Sequence, residues 1–573
     1  MPEHPLIVLK FGGSVLLNES CLQAAVHEIY RWHREGWRVV AVVSALATRT
    51  DALEQSCRRL SPRPTPHARA AMLSLGEAES AALLGVYLDR IGLPASILSP
   101  AAIGLIARGD PLDADPVDLN TSPLRDALHS GAIAIVPGFT ALDTHARPVT
   151  LGRGGSDTTA LFLAHALNAD RCRLIKDVDG LYTHDPSSQP TLARRYDTCS
   201  YEDALATDGS ILHHKAIQVA QRHGLTFELT RLNGVRPTRI GDVPSIRTDR
   251  HDTPQRLRVG IAGAGTVGGG VIEHLLNLPE LFEITHAACR KPTRQQELRD
   301  QGLDVSDNPW NCITNSDVVV ELLGGTDVAS ELICEALLTG RDVVTANKSA
   351  LALHDASFRR VTSHGGVSLL ASASVGGAAP AIERTRGARI TRVRGVLNGT
   401  VNHVLEQTRT GSTLAVAVRR AQELGLAEAD PSRDLDGRDS LDKLIVLAQH
   451  TGLRGASRYV HRQEVHETHI PHNTDGSRLR HIAELDDRGA RVRLEPVDSS
   501  SPFFDLEDEM NALLLTHADG SEEIARARGA GRWPTAESVL ADLLELSRAH
   551  ALRHQHIDTP DEATRQEVCC ESV

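Results

Sequence analysis

A glycine-rich turn in the middle of the chain constrains its fold most strongly. A short apolar run leads into Gly263-x-Gly265-x-x-Gly268, and a pattern of helical periodicity follows. This order predicts a strand, a tight turn and a helix, in which the glycines allow the turn, the approach of a pyrophosphate and close helix packing. The phosphates would meet the helix N-terminus, so Thr266 and Val267 are also candidate nucleotide contacts. A glycine-rich turn without a nucleotide is the alternative, which the strand and helix on either side disfavour.

Length and composition indicate a multidomain protein that acts on small molecules. The 573 residues suggest three or four structural units, and 24% charged with 41% hydrophobic residues is ordinary for a soluble protein. The net charge of −13 argues against nucleic-acid and anionic-membrane partners. We expect no transmembrane span or secretion signal, because no apolar run approaches about 20 residues and the N-terminus lacks a basic region before an apolar one. Nine scattered cysteines without a CxxC pair fit a reducing cytoplasm.

A second glycine-bearing turn lies near the N-terminus. The apolar run that begins at Leu6 ends in Lys10-Phe-Gly-Gly-Ser14, and helical spacing follows. Lys10 could hold a phosphate as a point charge, with the amides of Gly12, Gly13 and Ser14 as donors. The Walker pattern is absent, and a structural turn with an exposed lysine is an alternative. Further strands alternate with helices, which predicts a parallel α/β sheet with ligands at the carboxyl ends of its strands.

Five ordered motifs over about 180 residues resemble those of aspartate kinases, which have the amino-acid kinase fold. They are Lys10-Phe-Gly-Gly-Ser14, Val43-Ser-Ala45 with Thr50-Asp51, Gly76-Glu77, Gly152-Arg-Gly-Gly-Ser-Asp157 and Lys176-Asp-Val-Asp-Gly-Leu-Tyr-Thr-His-Asp-Pro186. The resemblance implies a parallel-rich sheet with helices on both faces and ATP-dependent phosphorylation of the β-carboxylate of L-aspartate. A carboxylate needs little activation as a nucleophile, so such a site works by positioning and charge neutralisation.

The same resemblance assigns roles to individual residues. Lys10 would stabilise the transferring phosphoryl group, and Asp157 would help to hold Mg²⁺ with ATP. Arg153 suits the α-carboxylate of aspartate and Glu77 its ammonium. The remaining implied contacts are Thr50 with aspartate and Asp177, Tyr182 and Asp185 with the nucleotide. Glu77 and Asp185 have an alternative interpretation as helix-face or turn residues.

Two departures from the kinase pattern bear on activity and regulation. The lysine that aspartate kinases usually carry before a late helix is missing beside Gly209-Ser210, which could weaken ATP binding unless Lys176 or Lys215 compensates. The paired ACT regulatory domains expected after the kinase are also missing. Feedback inhibition through ACT-bound amino acids is therefore not expected.

The second strand after the central glycine-rich turn predicts the coenzyme. It ends at Cys289 and is followed directly by Arg290 and Lys291. An acidic residue at this point would bind a ribose 2′-hydroxyl, whereas a cationic pair suits a 2′-phosphate. We therefore predict NADP(H) over NAD(H).

The region from about residue 257 to 548 resembles homoserine dehydrogenase. The motifs that carry the resemblance include Asp342-Val-Val-Thr-Ala-Asn-Lys348, Gly395-Val-Leu-Asn-Gly-Thr400, Gly425 to Pro431, Asp439-Ser-Leu-Asp-Lys443 and Arg528 to Ala536. The resemblance implies that catalytic lysines stand near the substrate carbonyl, where an ammonium can supply the proton for a developing alkoxide. The implied catalytic residues are Lys348, Asp439 and Lys443, and the implied substrate contacts are Asn398, Thr400, Glu428 and Asp434.

Two details of this second resemblance stay open. Asp439 and Lys443 have the i,i+4 spacing of an ordinary solvated helix pair, which is the alternative to a catalytic pair. The family commonly has a glutamate linked to a monovalent cation where this chain has Ser372. The backbone carbonyls of Val375 and Gly377 could still hold Na⁺, but a charged ligand is missing.

Together the two resemblances imply an α/β protein in which an amino-acid kinase fold is fused to a Rossmann NAD(P)-binding domain with an α+β catalytic domain. The expected divisions are a kinase domain at 1–246, a linker at 247–256, the Rossmann domain at 257–385, the catalytic domain at 386–548 and a charged, mobile tail at 549–573. The implied substrates are aspartate, aspartate semialdehyde and homoserine, and a cytoplasmic homo-oligomer is implied. The alternatives are a kinase half that is only a scaffold or ligand-binding module, and a kinase for another small carboxylate or amino acid.

Overall fold

The computed structural model describes residues 4–184, 186–248, 256–375, 377, 379–427, 430–470, 476–528 and 531–557. The contacts divide the chain into two compact units. The first is formed by Met1–Asp252 with Val375–Pro534, and the second by Thr253–Ser374 with Thr535–Val573. Three sheets lie in the first unit and one in the second.

A nine-stranded sheet and a small four-stranded sheet occupy the N-terminal part of the first unit. The strands are β1 (Leu6–Phe11), β2 (Arg38–Val43), β3 (Ala95–Ile97), β4 (Ile106–Asp110), β5 (Asp113–Asp118), β6 (Ile133–Pro137), β7 (Thr140–Leu142), β8 (Pro148–Thr150), β9 (Arg171–Lys176), β10 (Arg195–Ser200), β11 (Phe227–Arg231), β12 (Thr238–Gly241) and β13 (Ile246–Thr248). The helices are α1 (Cys21–Arg34), α2 (Arg49–Leu60), α3 (Pro66–Leu73), α4 (Leu75–Arg90), α5 (Ser122–His129), α6 (Gly155–Leu167), α7 (Tyr201–Leu205) and α8 (His214–Arg222).

The centre of the nine-stranded sheet is parallel and buried. The strand order is β13-β10-β12-β11-β9-β1-β2-β6-β3, and β1 pairs in parallel with both β2 and β9. Every residue of β1 is buried, as expected for an apolar run covered by helices on both faces. Because β1, β2 and β9 run the same way, the turn after β1, the Ser44-Ala45 segment and Lys176 meet at one edge of the sheet.

The second unit contains one sheet whose six strands are all parallel, in the order β16-β15-β14-β17-β18-β19. Its strands are β14 (Leu257–Ala262), β15 (Phe282–Ala288), β16 (Val305–Ser306), β17 (Val318–Glu321), β18 (Asp342–Thr345) and β19 (Leu369–Leu370), and its helices are α9 (Thr266–Leu276), α10 (Pro292–Asp300), α11 (Asp327–Leu338) and α12 (Lys348–Gly365). This is the strand–turn–helix arrangement that the glycine pattern predicted.

The third large sheet, in the first unit, is antiparallel except for the edge pair β21 and β23. Its order is β21-β23-β22-β20-β24-β25. The strands are β20 (Ile390–Val396), β21 (Val460–Arg462), β22 (Arg478–Leu485), β23 (Ala490–Val497), β24 (Met510–His517) and β25 (Glu522–Arg528), and the helices are α13 (Gly399–Arg409), α14 (Leu414–Glu423), α15 (Ser432–Leu435), α16 (Arg438–Thr451) and α17 (Gly455–Arg458). The α/β class with a further α+β portion is therefore confirmed.

The last helix, α18 (Arg532–Ile557), differs from the sequence expectation. Its apolar side chains, such as Val539 and Leu543, join the core of the parallel sheet in the second unit rather than the antiparallel sheet. The helix also extends beyond residue 549, where a tail was expected, and His550 Nε2 lies 2.7 Å from Asp342 Oδ2. The sequence pattern of this segment does not show which sheet it covers. Residues 558–573 lie outside the described part.

Within the described residues, Pro66–Arg90, which spans α3 and α4, is the one helical stretch long and apolar enough to cross a membrane. Such a stretch is weak evidence, since core helices of soluble proteins have the same composition. Glu77 lies inside this stretch and is almost fully buried.

Candidate active sites

Lys10 lies in a cluster of three charged groups at the carboxyl edge of the nine-stranded sheet. Its Nζ is 2.5 Å from Asp157 Oδ1, and Lys176 Nζ is 2.7 Å from Asp157 Oδ2. Burial lowers the pKa of Lys10 to about 8. Burial opposes ionisation of Asp157 as well, but the two lysines outweigh it and hold that pKa at about 2. Two ammonium groups thus share one carboxylate, an arrangement that favours a further anion.

The glycine-rich segment before α6 places Asp157 in the first helical turn. Gly152 and Gly154 have φ values of +73° and +75°, which favour glycine. A Cβ on Gly152 would lie 1.9 Å from Asp113 Oδ1, so the carboxylate of Asp113 rests against this backbone. Arg153 is exposed between the two glycines and lines the cavity described next.

Glu77 on α4 is 4% exposed and lines the same cavity as Lys10. Its Oε1 accepts a hydrogen bond from the Ala45 amide at 3.2 Å, whereas its buried Oε2 has no hydrogen-bond partner among the described residues. Burial raises the pKa of Glu77 to about 7. The cavity holds about 450 Å³, and its lining includes Lys10, Gly13, Ser14, Thr50, Glu77, Arg153, Asp157 and Lys176.

The predicted phosphate-binding role of the Gly12 amide is wrong. This amide donates to the carbonyl oxygen of Ile175 at 3.2 Å, because β1 and β9 continue their pairing one residue beyond β1. A Cβ on Gly12 would lie 3.3 Å from Lys10 Nζ, so glycine leaves room for the lysine. Gly13 and Ser14 line the cavity, and phosphate binding by their amides stays a prediction.

Asp177 and Tyr182, which the resemblance places at the nucleotide, do not line this cavity. Asp177 is exposed just after β9, and the buried Tyr182 donates its hydroxyl to Asp179 Oδ1 at 2.5 Å. Asp179 in turn lies 3.3 Å from the buried Arg195. Sequence reasoning did not single out Asp179, although it lies two residues after Asp177 in the same motif. Asp185 lies outside the described residues.

The two lysines considered as substitutes for the missing one have different surroundings. Lys176 contacts Asp157 within the cavity. Lys215 on α8 lies 2.6 Å from Asp113 and 3.3 Å from Asp115, on the hairpin that includes β5. Lys176 is therefore placed beside Lys10, and Lys215 is engaged by carboxylates.

The glycine-rich turn of the second unit has the geometry that its sequence predicted. Gly263 has a φ of +110°, and a Cβ on Gly268 would come 2.0 Å from the Gly263 carbonyl oxygen. A Cβ on Gly265 would meet nothing within 4 Å, so the space above it is open. Helix α9 begins at Thr266, with Val267 in its first turn. An open turn followed by a helix N-terminus can accept a pyrophosphate.

Arg290 and Lys291 are exposed directly after β15, as predicted, and Lys291 is the N-cap residue of α10. Sequence reasoning missed a third cation, Arg294. Its guanidinium comes within 3.0 Å of the position that a Cβ would take on Gly269 of α9. The sequence signal that could have identified Arg294 is its position near the start of α10, directly after Arg290 and Lys291.

Lys348 is the first residue of α12. Asn347, immediately before it, accepts from the Ala350 amide and donates to the Gly325 carbonyl oxygen at 2.8 Å. Thr345 donates to the fully buried Glu321 at 2.5 Å, and burial raises the pKa of that glutamate. These bonds tie the ends of β17 and β18 together and fix the start of the helix that carries Lys348.

A polar cluster in the first unit joins four residues that lie up to 45 positions apart. Asn398 is the N-cap of α13, and its Nδ2 donates to Asp434 Oδ1 at 2.8 Å and to Asp439 Oδ2 at 2.9 Å. Lys443 Nζ lies 2.9 Å from Asp439 Oδ2 and donates to the Leu397 carbonyl oxygen at 2.6 Å. Asn398, Asp439 and Lys443 are all buried. The pair is therefore not a solvated helix pair.

The other predicted contacts of this region differ in outcome. Thr400 donates its hydroxyl to the Leu426 carbonyl oxygen at 2.6 Å, and Glu428 lies outside the described residues. Sequence reasoning missed Asn511 on β24, which is 1% exposed and donates to the Leu397 carbonyl oxygen at 3.4 Å. No local motif marks Asn511, because β24 reaches β20 only through sheet pairing.

In the segment considered for a monovalent cation, Ser372, which stands where the family commonly has glutamate, contacts an aspartate of α18. Ser372 donates both its amide and its hydroxyl to the buried Asp542 of α18, at 3.0 and 2.5 Å. Val375 is buried and Gly377 has a φ of +60°, whereas residues 376 and 378 lie outside the described part. The cation remains a prediction.

The chain combines three features: a parallel sheet with a pair of lysines at its edge, a dinucleotide-type turn, and a buried Lys–Asp pair. These features are typical of multidomain enzymes that use nucleotides. Comparison with known families agrees. The amino acid kinase family matches residues 5–229, the homoserine dehydrogenase NAD binding domain matches 263–366, and homoserine dehydrogenase matches 379–544. No ACT domain is among these families.

Individual relatives divide in the same way. An aspartokinase of Mycolicibacterium smegmatis is 36% identical over 228 residues, covering 39% of this chain and 54% of the relative. A homoserine dehydrogenase of Pseudomonas aeruginosa is 33% identical over 320 residues, covering 51% of this chain and 73% of the relative. A solved homoserine dehydrogenase from Thiobacillus denitrificans is 28% identical, with a TM-score of 0.49 and coverage of 53% and 76%. The chain thus spans about half the length of the first aspartokinase.

The chain belongs to the homoserine dehydrogenase family. Its residues 5–229 match the amino acid kinase family.

Proposed function

We propose that this chain is a bifunctional enzyme that phosphorylates L-aspartate with ATP to 4-phospho-L-aspartate and reduces L-aspartate 4-semialdehyde with NADPH to L-homoserine. The observation that carries the kinase proposal is the placement of two lysines and one buried, unpartnered carboxylate oxygen around a single cavity. Lysines suit a phosphoryl group and the carboxylate of Glu77 suits a substrate ammonium.

In the proposed kinase step, a β-carboxylate oxygen of aspartate attacks the γ-phosphorus, the bond to the β,γ-bridging oxygen breaks, and ADP leaves. Lys10 and Lys176 neutralise charge on the transferring group, and Arg153 with Thr50 holds the α-carboxylate side of the substrate. The nucleophile is already an anion, so no general base is needed. Both oxygens of Asp157 are engaged by lysines, so its fit as an Mg²⁺ ligand is poor and we propose that it positions the lysine pair.

The pH dependence of aspartate-dependent ADP release tests this proposal. The pKa of Glu77 is raised to about 7, so below that pH the carboxyl becomes protonated and loses its attraction for the substrate ammonium. We expect kcat/KM for aspartate to fall about tenfold per pH unit below this value, and the Glu77→Gln variant to be weak and nearly flat there.

Glu79→Gln is the matched control, because Glu79 is on the same helix, is partly exposed and pairs with Arg49. It should keep the wild-type profile. The NADPH-dependent reduction by the same preparation reports folding. Reduction without any aspartate-dependent ADP release would instead support a kinase half that is only a scaffold.

For the reductase, the observation that carries the proposal is the buried Lys443–Asp439 pair with Asn398. A bound nicotinamide nucleotide supplies the hydride for the carbonyl carbon. Lys443 donates a proton to the developing alkoxide oxygen, Asp439 keeps that ammonium in place, and Asp434 holds the substrate ammonium. Lys348 is a second candidate lysine for this chemistry.

Replacing both Arg290 and Lys291 with serine should raise KM for NADPH roughly 10- to 100-fold, since charge-assisted bonds to a 2′-phosphate are lost. KM for NADH, which lacks that phosphate, should change little and is the internal control. Arg294→Ser tests the third cation in the same assay. An equal loss with both coenzymes would contradict the proposed preference for NADP(H).

We extend the proposal to the divisions of the chain and its setting. The kinase part at 1–246, the nucleotide-binding part at 257–385 and the catalytic part at 386–548 stay proposals. Helix α18, at the end of the last range, packs in the core of the second unit. The net charge of −13 supports small molecules rather than nucleic acids as partners. The proposal that the protein is a cytoplasmic homo-oligomer depends on the family resemblance.

A further inference from the structure

Glu321, the last residue of β17, carries a fully buried carboxylate that has no role in either proposed reaction. Three neighbours donate to it: the Thr345 hydroxyl at 2.5 Å, the Leu323 amide at 2.7 Å and Asn347 Nδ2 at 3.5 Å. Burial raises the pKa of Glu321, and these three bonds oppose the rise. The bonds therefore offset the cost of burying a carboxylate, and in turn they fix the positions of their donors.

The loop at 322–325, directly after Glu321, packs against the dinucleotide-type turn. A Cβ on Gly263 would come 2.5 Å from the Leu322 carbonyl oxygen, so the two backbones are in close contact. At its other end the loop is open, because a Cβ on either of the glycines at 324 and 325 would meet nothing within 4 Å. The start of the loop is thus fixed against the turn, whereas its glycine end can approach a ligand.

Asn347 ties the same loop to the start of helix α12. Its Nδ2 donates to the Gly325 carbonyl oxygen at 2.8 Å, and its Oδ1 accepts from the Ala350 amide at 3.1 Å. Its own amide donates to Thr345 Oγ1 at 2.9 Å. One hydrogen-bond network that includes Glu321 therefore holds both the loop and the first turn of α12.

The sheet order shows which half of a dinucleotide this loop would meet. The order β16-β15-β14-β17-β18-β19 reverses between β14 and β17, and ligands of such sheets bind outside the carboxyl ends of the strands at this point. Arg290 and Lys291 follow β15, on one side of β14, and the 322–325 loop follows β17, on the other side. With the adenosine half beside the two cations, the nicotinamide half would extend toward the loop.

We propose that Glu321 is a positioning residue, whose buried carboxylate holds the 322–325 loop in the conformation that binds the nicotinamide half of the coenzyme. It acts through the Leu323 amide and Asn347 rather than by contact with the ligand. The inference rests on the proposed function for the identity of the ligand, whereas the effect of Glu321 on the loop is a property of the ligand-free chain.

Glu321→Met tests the effect on binding, because methionine has a similar volume and no acceptor oxygen. Dissociation constants are measured by NADPH fluorescence with the full-length chain, without a second substrate. We expect Kd for NADPH and for NADH to rise by the same factor, roughly 10-fold, because affinity falls with the fraction of molecules whose loop is competent to bind. Adenosine 2′,5′-bisphosphate, which carries only the adenosine half and displaces NADPH, should keep its wild-type affinity.

Two glutamine variants serve as comparisons. Glu331→Gln, at an exposed residue of α11 in the same unit, should keep the wild-type Kd for all three ligands. Glu321→Gln keeps one acceptor oxygen, so its losses should lie between those of the wild type and Glu321→Met. An unchanged Kd for NADPH in Glu321→Met, or an equal loss of the bisphosphate, would overturn the proposal, since a merely structural role would weaken both halves.

Hydrogen exchange of the ligand-free chain tests the loop itself. The Leu323 amide should exchange roughly 10- to 100-fold faster in Glu321→Met, whereas the amides within β17 should keep their protection. If Glu321→Met does not fold, Asn347→Ser is the second variant, because serine can still cap α12 but cannot reach the Gly325 carbonyl oxygen, and it should show the same selective loss of NADPH and NADH.

The two measurements separate this inference from the proposed function. A wild-type chain that bound neither coenzyme would contradict the proposed reductase, and the exchange rate at Leu323 would still decide whether Glu321 holds the loop. Unchanged exchange at Leu323 in a folded Glu321→Met chain would overturn the inference even if both coenzymes bind to the wild type.

Discussion

The Lys10→Met variant is expected to lose about 10³-fold in kinase kcat while its homoserine dehydrogenase rate stays at the wild-type value. Lys10 is the buried ammonium at the end of β1, and its charge is held by contact with Asp157. Methionine fills similar volume but cannot neutralise charge on the transferring phosphoryl group. Asp157 would keep Lys176 as a partner, so no unpaired buried carboxylate results. Coupled measurement of ADP release checks the outcome.

Lys215→Met is the matched control for this variant. Lys215 is engaged by Asp113 and Asp115 rather than by Asp157, so its removal should change kinase kcat only a few-fold. The dehydrogenase rate of each variant shows that the chain is folded. A Lys10→Met enzyme with a kinase rate close to that of Lys215→Met would disprove the assigned role of Lys10.

The kinase site was predictable where its residues belong to short local motifs. The residues Lys10, Glu77 and Asp157 each lie within two positions of a glycine in the sequence, and the structure gathers them around one cavity. The contact between Lys176 and Asp157 was not predictable, because it depends on the register of β9 against β1. In the same register the amide of Gly12 bonds to the carbonyl oxygen of Ile175. The local motif therefore predicted more phosphate-binding amides than the structure offers.

The dehydrogenase half shows the same division between local and long-range information. Helical spacing predicted that Asp439 and Lys443 would pair, but not that the pair is buried. The reason lies in Asn398, which caps α13 and donates to Asp434 and Asp439 from 36 and 41 positions away. Likewise, the sheet that helix α18 covers depends on packing with core residues from far earlier in the chain, such as Leu257 and Val318.

The Lys443→Met variant is expected to lower the kcat of semialdehyde reduction by about 10³-fold, with little change in the KM for NADPH. The ammonium is the proposed proton donor, and it is held by the Leu397 carbonyl oxygen and Asp439. Without it, Asp439 still accepts from Asn398, so the fold should survive. NADPH oxidation at 340 nm is followed with aspartate semialdehyde, at about saturating levels of both substrates, and the kinase rate of the same preparation is the folding control.

The Asp439→Asn variant separates proton donation from the general effect of disturbing this cluster. It keeps the size of the side chain and leaves the ammonium of Lys443 in place, bonded to the Leu397 carbonyl oxygen. If Lys443 is the acid, Asp439→Asn should lose less activity than Lys443→Met and should shift the pH profile of kcat, because the charge beside the lysine is gone. Equal losses of kcat in the two variants, with unshifted pH profiles, would mean that the Asp439–Lys443 pair only maintains structure. The proton would then have to come from another group, and Lys348 is the first to test.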